Sequence, residues 1–271
     1  MSEQVSRRTA LAALLLLGLA ADAPAPGSPV FPAQARDLWP DGQATARGAR
    51  SLVTGHRAAP GTLSDLARRA DSAGLRVTAV LGRPVRPVVI VPGSAEDAAR
   101  LAGVERLDGL AAVADDGRVI VVPESFGRLT STGKDVVLTH ELTHVAAGTG
   151  GLPVWLYEGF ADYVAYRDAG LPVRTAAAEL AAEVRAGRVP AALPGPEAFA
   201  VGGPDPGRLA LAYQEAWLAC RFLSRRFGER SLVRLYRDAQ AAGVDEALAA
   251  LGLSVATLTA RWRAYVREQL A

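Results

Sequence analysis

Histidine is scarce in this chain, three residues in 271, and two of the three stand four positions apart around a glutamate in His140-Glu141-Leu142-Thr143-His144. On an α-helix the side chains at i and i+4 lie one above the other, so two imidazoles at this spacing can grip one ion while the glutamate between them points beside it. The flanking residues supply the helix. The pattern predicts a helix from about Lys134 to Ala147, with Ser131 or Thr132 as its cap and Gly148 as its stop. Thr149, Gly150 and Gly151 then reverse the chain, and Pro153 stands where a first helical position belongs, which predicts a second helix carrying Trp155 to about Arg167.

A catalytic zinc takes three protein ligands, at roughly 2.0 to 2.2 Å for nitrogen and oxygen, and keeps a fourth position for water. Two histidines leave one ligand to find. His144 lies four residues before the stop glycine and Glu158 five residues after the proline. In an antiparallel pair of helices the two would face each other, which makes Glu158 the candidate third ligand. Asp162 follows Glu158 by four, on the same face, and is the candidate to accept the second ring N–H of a ligating histidine. The bland alternative for both carboxylates is a pair of solvated charges on an outer helix face.

His140 to His144, taken with Leu152-Pro153-Val154-Trp155-Leu156-Tyr157-Glu158-Gly159-Phe160-Ala161-Asp162-Tyr163, resembles the gluzincin metallopeptidases, and most of all the short secreted bacterial peptidase MA-like domains. The likeness spans about residues 85–240, with its specificity concentrated in 136–163. It implies one zinc ion held by His140, His144 and Glu158, with Glu141 as general base and acid. It also implies a zincin-like α+β fold and hydrolysis of a peptide or protein substrate. Related gluzincins bring a tyrosine hydroxyl from a later helix to the developing oxyanion, and Tyr213, in Leu211-Ala212-Tyr213-Gln214-Glu215-Ala216-Trp217, is the residue that would do so here; half-buried packing is its other reading. The interval between His144 and Glu158 is shorter than in the thermolysin-like and aminopeptidase branches, so their substrate rules do not transfer. An edge strand of the sheet lining the cleft is a further expectation by analogy.

The remaining sequence sets the frame. Half of the residues are hydrophobic, ample for a core, and 30 basic against 28 acidic residues leave a net charge of +2, without the electrostatic footprint of a nucleic-acid binder. Residues 1–23 read as an export signal: Arg7-Arg8, an apolar run from Thr9 to Ala21, then small residues at Ala21-Asp22-Ala23. Ser6-Arg7-Arg8-Thr9-Ala10-Leu11 fits the twin-arginine route about as well as the general secretory one. The apolar run is short for a bilayer core of about 30 Å, which favours cleavage over stable membrane insertion and a secreted or extracytoplasmic product. Residues 24–60, rich in Pro, Gly and Ala, read as a flexible lead-in containing a solvated His56, and 61–271 as the metallopeptidase domain.

Within that domain a short helix from Thr62 closes near Gly74, strands follow at Val77–Leu81 and Val85–Val91, then a capped helix at Ser94–Leu101. Asp115-Asp116-Gly117 marks a hairpin between Leu110–Ala114 and Arg118–Val122. These strands predict a small twisted N-terminal sheet preceding the active-site helix, and everything after Asp162 is mostly helical. Pro190 to Pro206 is a Pro/Gly-rich loop fit to rim a cleft. Arg221, Arg225 and Arg226 read as a solvated face. Cys220, the only cysteine, stands among apolar neighbours as a buried, inert thiol. A different class remains open: a zinc-binding module without catalysis that recognises peptides or cell-wall material. Glu141 speaks against it, because a closed structural site has no use for a base beside the metal.

Overall fold

The structure, a computed structural model, describes residues 39, 41–107, 109–200 and 206–271; the expected export signal and the first part of the lead-in lie outside the described residues. The chain is α+β and divides into two compact units that meet in sequence at Gly148 and Thr149. Among the described residues no helix is long and apolar enough to cross a membrane.

The first unit is built on a five-stranded mixed sheet of order β1-β2-β3-β5-β4, with β1 at Ala44–Arg47, β2 at Leu52–Gly55, β3 at Val88–Val91, β4 at Ala112–Asp115 and β5 at Arg118–Val121. β2, β3 and β5 run parallel at its centre, and β1 and β4 close the edges antiparallel. The central strands are β-branched runs, Val-Val-Ile-Val in β3 and Arg-Val-Ile-Val in β5, as expected of strands covered on both faces. The hairpin joining β4 to β5 turns on Asp116 and Gly117, both at positive φ (39° and 75°), the conformation that a two-residue hairpin loop requires.

Helix α1, Pro60–Leu81, crosses from β2 to β3; α2, Ala95–Leu101, and α3, Pro123–Gly127, are short. Ser94 caps α2 as expected, accepting from Asp97 N–H. Helix α4, Ser131–Ala147, carries the two histidines, and every residue from Val136 to His144 is buried.

Two expectations need correction here. The segment Val77–Leu81 is not a strand but the last turn of α1, which runs straight through Gly74 and stops at Gly82, in the left-handed conformation at φ 70°. Val77, Val80 and Leu81 simply continue the apolar stripe of Leu63, Leu66, Ala70 and Ala73. Gly74 is a packing glycine, since a Cβ there would stand 2.8 Å from the ring of Pro87. Part of the supposed lead-in is also ordered: β1 and β2 lie within residues 24–60, and all four residues of β2 are buried. Asp71 of α1 fixes the turn between them, accepting from the amides of Ala49 (2.6 Å) and Arg50 (2.9 Å).

The second unit is helical: α5 Val154–Tyr166, α6 Val173–Ala176, α7 Ala178–Arg185, α8 Pro206–Phe227, α9 Glu229–Ala242, α10 Val244–Ala249 and α11 Val255–Leu270, with a 3₁₀ turn at Pro196–Phe199. Its core joins α5, α8, α9 and α11 through Phe160 on Tyr236 (ring centroids 4.4 Å), Tyr166 on Trp217 (5.1 Å) and the fully buried Trp262. Gly159 brings α5 and α8 together. A Cβ on it would meet the Ala216 carbonyl, with the carbonyl carbon at 2.5 Å.

Candidate metal centre

α4 starts where Thr130 accepts from Gly133 N–H (3.1 Å), one residue earlier than the caps expected, and ends at Gly148, whose amide donates to His144 O (2.8 Å). Two threonines on it are satisfied locally: Thr139 Oγ1 donates to Asp135 O and Thr143 Oγ1 to Thr139 O, each at 2.7 Å. Their hydroxyls are therefore buried without an unpaired donor. The second helix, α5, begins just after Pro153, which occupies the position before the first helical residue.

His140 and His144 sit one turn apart with their rings 4.6 Å apart at 68°, and their Nε2 atoms approach to 2.8 Å. Both imidazoles, Glu141 and Glu158 are buried, at 0%, 5%, 0% and 1% exposure respectively. One ligand atom each from His140, His144 and Glu158 lies within 4.8 Å of the others, so this buried cluster could hold a metal ion. The bland alternative of exposed, solvated carboxylates fails for both Glu158 and Asp162, the latter 5% exposed.

The donor set fits a divalent ion. Two nitrogens 2.8 Å apart on facing imidazoles cannot both carry a proton, and a metal ligand must be deprotonated at the coordinating atom. Ligands at tetrahedral angles around an ion with bonds of about 2.0–2.1 Å stand about 3.3 Å apart. The Nε2 pair needs to open by only about half an ångström, a few degrees of side-chain rotation. Neutral nitrogen donors together with a carboxylate oxygen are the ligand chemistry of zinc and its neighbours in the first transition row.

The carboxylates of α5 register as charge on their neighbours. The Tyr157 hydroxyl is pushed up to about 12 by burial and then by Glu158, and Tyr236 is raised for the same two reasons in the same order. Burial and then Asp162 raise Tyr166 and the thiol of Cys220. Cys220 is fully buried and its Sγ donates to Leu156 O at 3.7 Å, the inert thiol that its apolar neighbours predict.

Tyr213 lies on α8, 8% exposed, edge-on to Phe199 at 5.2 Å and 86°. Phe199 comes from the 3₁₀ turn Pro196–Phe199, so that turn is held to α8 by an aromatic contact. His56 corrects the sequence reading: it is 7% exposed, bonded through Nε2 to Asp41 Oδ1 (2.6 Å) and stacked on Trp39 at 5.3 Å and 11°. It is a structural histidine closing the start of the first unit, and it is not among the metal-cluster residues. Arg221 is likewise engaged, donating to Tyr265 and Gln269 of α11, while Arg225 and Arg226 are exposed. Gly159, directly after Glu158, is a functional neighbour that no local pattern marks, because what it makes room for is the backbone of Ala216 on another helix.

No protein-family model matches the chain, and no curated protein sequence matches it.

Proposed function

We propose that this chain is an exported zinc metallopeptidase of gluzincin type, with a zincin-like fold, in which His140, His144 and Glu158 hold one zinc ion. The observation that carries the proposal is the buried His140-His144-Glu158 cluster with its ligand atoms within 4.8 Å, together with a buried glutamate, Glu141, next to the first histidine. A structural zinc site closes all four positions and has no role for that glutamate. Zinc supplies Lewis acidity and brings the pKa of a water it binds to about 7.

The protein's own groups carry the protons. Glu141 takes the proton of the attacking water and delivers it to the leaving nitrogen, so that a single carboxylate acts first as base and then as acid. Asp162 accepts the second ring N–H of a ligating histidine, fixing its tautomer and its direction. The Tyr213 hydroxyl donates to the carbonyl oxygen as negative charge gathers there, a contribution typically of about 3–4 kcal/mol per donor. β4 stands at an edge of the sheet and is the strand that an extended peptide would pair with. The signal-like residues 1–23 support export.

The test is metal analysis of the purified protein alongside digestion of a peptide library with and without chelator. One zinc per chain and chelator-sensitive cleavage are expected. Glu141→Gln keeps zinc and loses cleavage. Stoichiometric zinc without cleavage in the parent protein would favour the non-catalytic binding module, and chelator-insensitive cleavage would exclude zinc chemistry.

A further inference from the structure

Two faces of α4 have different chemistry. The histidines occupy one, and Ser131, Asp135 and Thr139, at i, i+4 and i+8, form a polar row along another. That row faces α1. Arg69 reaches across from α1 and donates Nη1 to Asp135 Oδ1 (2.6 Å) and to Ser131 O (3.2 Å), and Nη2 to Ser131 Oγ (3.1 Å). Its Nε is anchored at home, on Asp65 Oδ2 (2.7 Å). Seven residues along the same face of α1, Arg76 directs Nη1 at Thr139 Oγ1 (3.5 Å), and Thr139 immediately precedes His140.

Arg69 is 19% exposed and its partner Asp135 30%, so the central pair is largely out of solvent. A guanidinium is planar, and its donors leave in fixed directions. One that is held at Nε by its own helix and at both terminal nitrogens by a second helix therefore fixes rotation as well as distance. A hydrophobic seam between the same helices would tolerate rotation of α4 about its axis far better, since apolar contacts are not directional. Rotation is what a metal-binding pair on one face of a helix can least tolerate. Turning α4 by 20° at the radius of an imidazole nitrogen displaces that nitrogen by about 2 Å, as long as a whole zinc–nitrogen bond.

We propose that Arg69, with Arg76 in a lesser part, is a positioning residue that sets the rotation of α4 and so aims His140 and His144 at the metal. The inference rests on the zinc reading above. Outer partners of metal ligands typically alter affinity by 10- to 100-fold when removed. Arg69 acts one step further out, through the helix that bears the ligands.

The experiment measures zinc affinity by competition with a chromophoric chelator, and the visible absorption of the cobalt-substituted protein, for the parent, Arg69→Met, Arg69→Lys and Arg76→Met. Arg68→Met is the control, because among the described residues Arg68 pairs with Asp65, on its own helix, and is 75% exposed. Arg69→Met is expected to weaken zinc binding by about 10-fold and to shift or broaden the cobalt bands. Arg69→Lys restores charge without the fork and recovers little. Arg76→Met has a smaller effect, and Arg68→Met none. All are read on protein whose circular dichroism shows the parent helix content.

A merely structural role would lower the melting temperature while the folded protein kept parent zinc affinity and parent cobalt bands, and that result overturns the proposal. Full recovery by lysine also overturns it, because charge alone would then suffice. If Arg69→Met does not fold, Asp135→Asn tests the same contact from α4: unchanged affinity and bands refute the clamp, and the loss expected of Arg69→Met supports it. A parent protein that binds no zinc refutes the zinc reading itself, which is a distinct outcome.

Discussion

Gly159→Ala tests the packing that holds the second unit together, and its cost can be worked from the geometry. In the interior of α5 alanine is intrinsically better than glycine by about 1 kcal/mol, so helix propensity alone would make the variant more stable. Space argues the other way. The new Cβ would stand 2.5 Å from the carbonyl carbon of Ala216, closer still to its oxygen, and 3.1 Å from Cys220 Sγ. Ordinary carbon contacts begin near about 3.5 Å, so α8 must retreat by about 1 Å. The obstacle is backbone inside a 22-residue helix, which cannot swing aside as a side chain would.

A retreat of that size forfeits a quarter to a half of the dispersion energy at each contact along the seam, and overpacking commonly costs about 1–3 kcal/mol, more when backbone must move. Taking about 3–4 kcal/mol for the clash and subtracting about 1 for propensity leaves a net loss of about 2–3 kcal/mol. In a protein of this size that is a fall of roughly 5–10 °C in melting temperature. The assay is thermal unfolding followed by circular dichroism on chelator-treated protein, with Gly150→Ala as control, where an added Cβ meets nothing within 4 Å. If Gly159→Ala melts at or above the parent temperature, α5 and α8 do not approach as described.

Three further outcomes follow from particular residues. Glu158→Ala should weaken zinc binding by at least 100-fold, measured by chelator competition, because it removes one of only three donors in the cluster; an unchanged affinity would remove Glu158 from the ligand set. Cys220 should be silent to a thiol reagent in native protein and react once per chain in denaturant, since burial and then the Asp162 charge hold the thiol protonated. Burial pushes the Asp71 carboxyl up, but hydrogen bonds from the backbone amides of Arg50 and Ala49 and from Ser51 together hold it below its ordinary pKa of 3.8. A depressed carboxylate stabilises the fold above its unfolded pKa and loses that contribution as pH falls through the folded value. Asp71→Asn should therefore cost about 1 kcal/mol at pH 6, measured by urea unfolding, with the difference from the parent shrinking as pH falls below the carboxylate's ordinary value of 3.8.

What the sequence disclosed depended on whether the signal was local. Gly148 and Pro153 punctuate α4 and α5 because each acts on its own few residues: one tolerates positive φ at a helix end, the other has no amide to donate. The Asp116-Gly117 hairpin is legible for the same reason. Gly74 misled because a glycine can serve two purposes. It reads as a stop when only neighbours in sequence are considered, and as a close approach once Pro87 is packed against it, thirteen residues away. β2 was missed because Leu52-Val53-Thr54-Gly55 is four residues long and buried throughout, and so shows no alternation.

The metal cluster divides along the same line. His140, Glu141 and His144 belong to a single helical turn, so one rule of helix geometry relates them, and the sequence is enough. Glu158 stands on a different helix, beyond Gly148 and Pro153, where that single rule does not reach. Arg69 lies outside any local pattern, since its partner Asp135 lies 66 residues further on and neither residue stands out from the chain's other charged residues. A local motif therefore names the groups that could touch an ion, while the helix that lies alongside is chosen by the fold. In this protein that helix is α1, which contacts α4 through Arg69 and is the element whose length the sequence understated.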